Sequence, residues 1–157
     1  MPVTVRAPRP DEAEALAELH LRTWEETYAG QFPPSAWGPD ARAQRIRMWT
    51  AFCTDPQPGW RTAVAELDGA PIGIAHSGVD DDGRRLLWIL YLLAAHHGSG
   101  AGQALLDAVV DDGPASLWVL EENPRARAFY ERNGFRADGE RRPTGFDDGG
   151  DEIRMLR

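Results

Sequence analysis

Leu86 to Val110 reads LLWILYLLAA, then HHGSGAGQ, then ALLDAVV. Ten apolar residues, Leu86 to Ala95, end at His96 and His97, and glycines follow at 98, 100 and 102. The run is the length of a buried strand, and ALLDAVV has the spacing of an apolar helix. A buried strand, a glycine turn and a helix together make an anion site. The first amides of a helix lack partners inside it, and the helix dipole is positive there. Glycine lets a phosphate come close to the backbone.

Working outward, the chain alternates strands and helices. Val3 to Ala7 predicts a short strand. Pro10-Asp11 opens a helix in which Ala13, Leu16, Ala17, His20, Trp24 and Tyr28 share one face, with Gly30 as its stop. Gln31 to Pro39 is a loop rich in proline and aromatics. Asp40 is placed to cap a second helix through Cys53, with Ile46, Trp49 and Phe52 inward. Arg61 to Leu67, Asp68-Gly69 and Pro71 to Val79 form a hairpin pattern, followed by an acidic turn at Asp80 to Gly83. Beyond the central stretch, Ser116 to Leu120 is a second buried strand. Asn123-Pro124 starts a helix and Asn133-Gly134 ends it. Phe135 to Arg142 and Glu152 to Arg157 pair as strands across a Gly/Asp loop. This order predicts one domain, residues 1–157, with a mixed α/β sheet.

Composition narrows the function. The formal net charge of −8 argues against nucleic acid or an anionic membrane surface as partner and fits a cationic small molecule or a basic peptide end. One cysteine, Cys53, excludes an internal disulfide. All 17 basic residues are arginine, which removes lysine-dependent chemistry. With no signal pattern and no long apolar span, the cytoplasm is the expected compartment. His96 and His97 are adjacent on a strand end and point apart, so no metal site is expected.

Two segments carry a family resemblance. His97-Gly98-Ser99-Gly100-Ala101-Gly102, after a hydrophobic strand, resembles the acyl-CoA signature of the GNAT N-acetyltransferases, Gln/Arg-x-x-Gly-x-Gly/Ala. The segment from Asn123 through Ala126, Phe129 and Tyr130 to Gly134-Phe135 resembles the family's second signature, Asn-x-x-Ala-x-x-Phe-Tyr followed by Gly-Phe. His97 stands where the family usually has Arg or Gln, and Leu92-Leu93-Ala94 where it usually has Val-x-Pro. A dinucleotide-binding reading fails, because Gly-x-Gly-x-x-Gly counted from Gly98 needs glycine where Gln103 stands.

The resemblance implies a mixed, mostly antiparallel sheet of six to seven strands flanked by about four helices, splayed between its fourth and fifth strands. It implies acetyl-CoA as co-substrate and an amine of a small molecule or peptide as acceptor, with a homodimer as a family-level expectation. Backbone near Leu92 would bond the pantetheine, with Asn123 assisting. His97, Gly98, Ser99, Gly100, Ala101, Gly102 and Gln103 would hold the pyrophosphate, and one of Arg125, Arg127 and Arg132, with Arg127 put first, would meet the CoA 3′-phosphate. Tyr130 would be the general acid. Glu121 ranks first as the base, ahead of Glu26 and His76. Trp24, Tyr28 and Trp88 would wall the acceptor site. A non-catalytic acyl-CoA sensor and a protein N-terminal acetyltransferase are the alternatives.

Overall fold

The computed structural model describes residues 2–146 and 150–157. Among these described residues, seven strands and four α-helices follow one another. They are β1 (Thr4–Arg6), α1 (Ala13–Tyr28), α2 (Pro39–Thr54), β2 (Arg61–Leu67), β3 (Ala70–Val79), β4 (Arg85–Leu92), α3 (Ala101–Val109), β5 (Ala115–Leu120), α4 (Pro124–Arg132), β6 (Arg136–Pro143) and β7 (Asp151–Leu156). The strands form one sheet in the order β1-β2-β3-β4-β5-β7-β6. Every neighbouring pair is antiparallel except β4 and β5. The sequence-predicted architecture is the one observed. The Gly/Asp loop between the last two strands lies partly outside the described residues.

The joints differ in detail. Gly38, not Asp40, occupies the cap of α2, because Pro39 takes the first helical position and Asp40 falls in the first turn. The central strand stops at Leu92. Leu93 N–H makes a last cross-strand bond to Ile72 O, and His96 N–H closes a tight turn onto Leu93 O, so Ala94 and Ala95 leave the strand.

α1 packs on β3 and β4 and carries α2 against it, with Phe52 of α2 stacked on His76 of β3, while α3 packs on β2, β3 and β4. Trp49 of α2 is fully buried, and its Nε1 donates to Nδ1 of buried His20 at 3.2 Å. The accepting Nδ1 leaves the His20 proton on Nε2. Burial, reinforced by Arg45, holds this imidazole well below its usual pKa, so it is a neutral packing group.

The parallel pair matters most for function. β4 and β5 are in register only at Arg85↔Ala115, Leu86↔Ser116 and Leu87↔Leu117. Beyond that point they part. β4 keeps its ladder to β3 as far as Leu92, and β5 keeps its ladder to β7 as far as Leu120. The sheet therefore splits into a wedge with an open strand edge on each side. A bulge sits at the split: His76 pairs with Ile89 and Ser77 with Leu87, leaving Trp88 as the extra residue of β4.

Candidate active site

The wedge opens into a cavity of about 860 Å³, within the range of small-molecule and cofactor sites. It is lined by β4 from Leu87 to Leu92 and by β5 from Leu117 to Leu120. One end is the glycine turn and the start of α4; the other is an aromatic cluster on α1 and the loops.

At the first end, Gly98 and Gly100 have φ of +82° and +88°, a region that favours glycine. The first backbone bond of α3 runs from Ala104 N–H to Gly100 O. The amides of Gly102 and Gln103 thus precede the helical ladder and are available to an anion. Gly98, Gly100, Gly102 and Gln103 all line the cavity, as do Leu92 and His97. His97 Nε2 lies 3.1 Å from Leu92 O. Two of the predicted turn residues do not line it. Ser99 turns its Oγ to accept the Ala101 N–H at 3.3 Å, and Ala101 is fully buried beneath the helix start.

Asn123 caps α4, its Oδ1 accepting the Ala126 N–H at 3.2 Å, and it also lines the cavity. Asn123→Ala should cost about 1 kcal/mol of stability through the lost cap, read by urea unfolding. Unchanged stability would show that the cap contributes nothing. Arg127 does not face the cavity as predicted. Its guanidinium donates to Glu121 O at 3.1 Å, while Arg125 and Arg132 of the same helix reach the lining instead. Helical spacing explains the swap, since 125 and 132 are seven apart and share a face.

Tyr130 ends the inner face of α4, 8% exposed and lining the cavity. Phe129 and Phe135 pack edge-on against its ring, with centroids 5.4 and 5.9 Å away. Burial, with a smaller effect of Tyr91, raises its phenol pKa above the ordinary value.

At the second end, Trp24, Tyr28, Phe32, Tyr91 and Phe146 converge. The Tyr28 and Tyr91 hydroxyls lie 3.3 Å apart, and burial raises both phenols. The chain has three tyrosines, and all three line this cavity. Phe32 and Phe146 stack at 4.8 Å, joining the loop after α1 to the loop after β6. Trp88 also lines the cavity but stands apart from Trp24 and Tyr28. The bulge turns its ring onto His76 (5.0 Å) and Trp60 (6.2 Å), and it is 46% exposed.

The three predicted bases are otherwise engaged. Glu121 lies outside the lining, and Arg141 grips both its oxygens at 2.5 and 2.6 Å. That hydrogen-bonded pairing lowers its pKa. Glu121 comes directly after Leu120, the last residue of β5, and its N–H still bonds Asp151 O at 3.0 Å, so its side chain continues the alternation and leaves the face the wedge presents. Glu26 accepts the Ala94 N–H at 2.8 Å and so ties α1 to the end of β4. His76 is fully buried, stacked on Phe52 at 3.7 Å and pushed down to about 4 by burial. Sequence reasoning missed Tyr91, Phe32, Phe146, Arg142 and Glu152. Glu152 lines the cavity, and its role depends on a cross-strand register, Leu120↔Glu152↔Arg142, that no local motif encodes.

Among the described residues, no group of three or more His, Cys, Asp or Glu side chains is placed to hold a metal ion. No helix among them is long and apolar enough to cross a membrane.

Comparison with known proteins agrees with this geometry. The chain is 33% identical over 138 residues to an uncharacterized N-acetyltransferase of Mycobacterium tuberculosis, covering 83% of this chain and 86% of that protein. It superposes on the PaiA N-acetyltransferase of Thermoplasma acidophilum, solved in complex with coenzyme A, with a TM-score of 0.67 at 20% identity. That match covers 99% of this chain and 98% of that one. It superposes on YncA of Salmonella typhimurium, solved with its cofactor acetyl-CoA, with a TM-score of 0.74 at 19% identity, covering 100% and 94%. These two likenesses are likenesses of fold. The model of the acetyltransferase (GNAT) family matches residues 14–135, a span that runs from α1 through the wedge and the glycine turn to Phe135. With both signatures set on opposite lips of one cleft, the chain belongs to the GNAT acetyltransferase family.

Proposed function

We propose that this protein transfers an acetyl group from acetyl-CoA directly to a primary amine of a small molecule. The observation that carries the reading is the wedge. An unpaired strand edge leads from the free amides at the glycine turn to a buried phenol on the facing helix. A pantetheine arm carries amide groups and can bond such an edge as an added strand does. The pyrophosphate belongs at the turn, held by the amides of Gly98, Gly100, Gly102 and Gln103, with Arg125 and Arg132 beside it.

In this reading the amine nitrogen attacks the thioester carbon. A backbone N–H on the free edge of β4 stabilises the oxyanion. The C–S bond then breaks, and Tyr130 donates its proton to the departing sulfur. A non-catalytic sensor needs the turn and the edge, but it has no use for a cavity-facing phenol. A small acceptor is favoured over a protein N-terminus by the Phe32–Phe146 stack, which brings two aromatic rings together at the acceptor end.

The test is release of free thiol from acetyl-CoA in the presence of a panel of primary amines. The expected result is amine-dependent thiol release with stoichiometric N-acetylated product. Tight acetyl-CoA binding without turnover of any amine would leave the sensor reading in its place.

A further inference from the structure

We propose that Glu152 is the carboxylate that binds the acceptor's ammonium and takes its proton, inside a cage that selects primary amines with a compact apolar body. This rests on the acetyl-transfer reading and names the acceptor class of the same site.

Glu152 is the one carboxylate among the described residues that line the cavity. Its register partner Leu120 puts it on the sheet face that meets Tyr28 and Phe32, since paired residues share a face. Tyr28 and Tyr91 line the same cavity, and the negative charge of Glu152 adds a small upward push to both phenols, behind burial as the main cause. The nearest approach of Arg142 is its Nε, 3.4 Å from Oε1, and the Arg142 guanidinium is itself held over the Trp118 ring at 4.2 Å. Trp24, Phe32 and Phe146 complete the walls. Aromatic faces next to a carboxylate suit an ammonium, and the Phe32–Phe146 contact limits the size of what the ammonium carries.

The proton balance closes. One ammonium proton passes to a Glu152 oxygen and on to solvent, freeing the nitrogen lone pair to attack the thioester carbon. As the intermediate collapses, Tyr130 gives its proton to sulfur and is reprotonated by the second nitrogen proton. The third stays on the amide product.

The test is calorimetric titration of phenethylamine into the protein saturated with CoA, so that binding is read without turnover. Phenethyl alcohol and phenylpropionate serve as the neutral and anionic comparators. Wild type should bind the amine more tightly than either. Glu152→Gln should weaken the amine by about tenfold or more, the value of a charge-assisted hydrogen bond, and leave the alcohol unchanged. Arg142→Gln should not weaken the amine, because it frees the carboxylate. Equal losses in both variants would reduce the pair to a cross-strand strut and overturn the proposal. So would wild-type binding that favours phenylpropionate, a result that needs no variant to fold. Ammonium selectivity without acetyl transfer to any amine would bring down the transfer reading and leave the binding site standing.

Discussion

Tyr130→Phe should lower kcat by about 10²–10⁴-fold, the usual loss when a general acid is removed. The substitution keeps the ring, so its contacts with Phe129 and Phe135 survive. Melting temperature and acetyl-CoA affinity should therefore stay near wild type. The chemistry favours this role. A thiol has a pKa of about 8.5 and a tyrosine about 10. The leaving sulfur thus needs a proton that a neutral phenol still holds. Burial raises Tyr130 further. A raised pKa preserves the protonated form to higher pH, so any alkaline fall in rate below pH ~10 must come from another group. A packing role predicts near-normal kcat. A folded Tyr130→Phe enzyme within about threefold of wild-type kcat, with chemistry shown to be rate-limiting, would falsify the assignment.

Much of this cleft was legible in the sequence because its decisive parts are local. The strand, the glycine turn and the helix start are consecutive, and each announces itself by composition. Asn123, Ala126, Phe129 and Tyr130 lie within three turns of one helix, so their common face follows from spacing alone. The acceptor end is different. Glu152, Leu120 and Arg142 meet through the pairing of β5, β7 and β6, and a one-residue change in that register would send Glu152 to the other face. Trp88 shows the same limit. Its aromatic character set it with Trp24 and Tyr28 as a wall of the acceptor site, but the one-residue bulge turned it onto His76 and Trp60. Glu121 looked free for catalysis until β6 brought Arg141 to it from 20 residues away.

Net charge belongs to the whole molecule and does not describe the cleft: the chain carries −8, yet the lining holds Arg125, Arg132 and Arg142 against Glu152. The acidic surplus lies on the rest of the surface. In the proposed site, recognition of an ammonium would come from the placement of a single carboxylate among aromatic rings rather than from the field of the whole molecule. Cation capture at short range is weakly screened, whereas a diffuse surface field fades within a Debye length of about 8 Å at physiological salt.

Gly100→Val should weaken acetyl-CoA binding by on the order of 2 kcal/mol or more, comparable to losing charge-assisted hydrogen bonds at the pyrophosphate. Two effects are built into this variant and must be separated. One is backbone strain, because Gly100 has a φ of +88° and a β-branched residue there is strongly disfavoured. The other is obstruction, because the side chain would stand where the backbone must meet a phosphate. A Cβ at Gly100 meets no protein atom within 4 Å, so the space it enters is open and only a ligand contests it. Gly83 supplies the control. Its φ is +82°, a Cβ there also meets nothing within 4 Å, and it sits in the turn between β3 and β4, outside the cavity lining. Gly83→Val should carry similar strain and a similar drop in melting temperature, while leaving acetyl-CoA affinity unchanged. Calorimetry on both variants decides the matter. Loss of affinity confined to Gly100→Val places the phosphates on the glycine turn, because strain of equal size elsewhere does not touch binding. Unchanged affinity in a folded Gly100→Val protein removes the turn from the site, and the wedge would then have to hold its ligand by the strand edge alone.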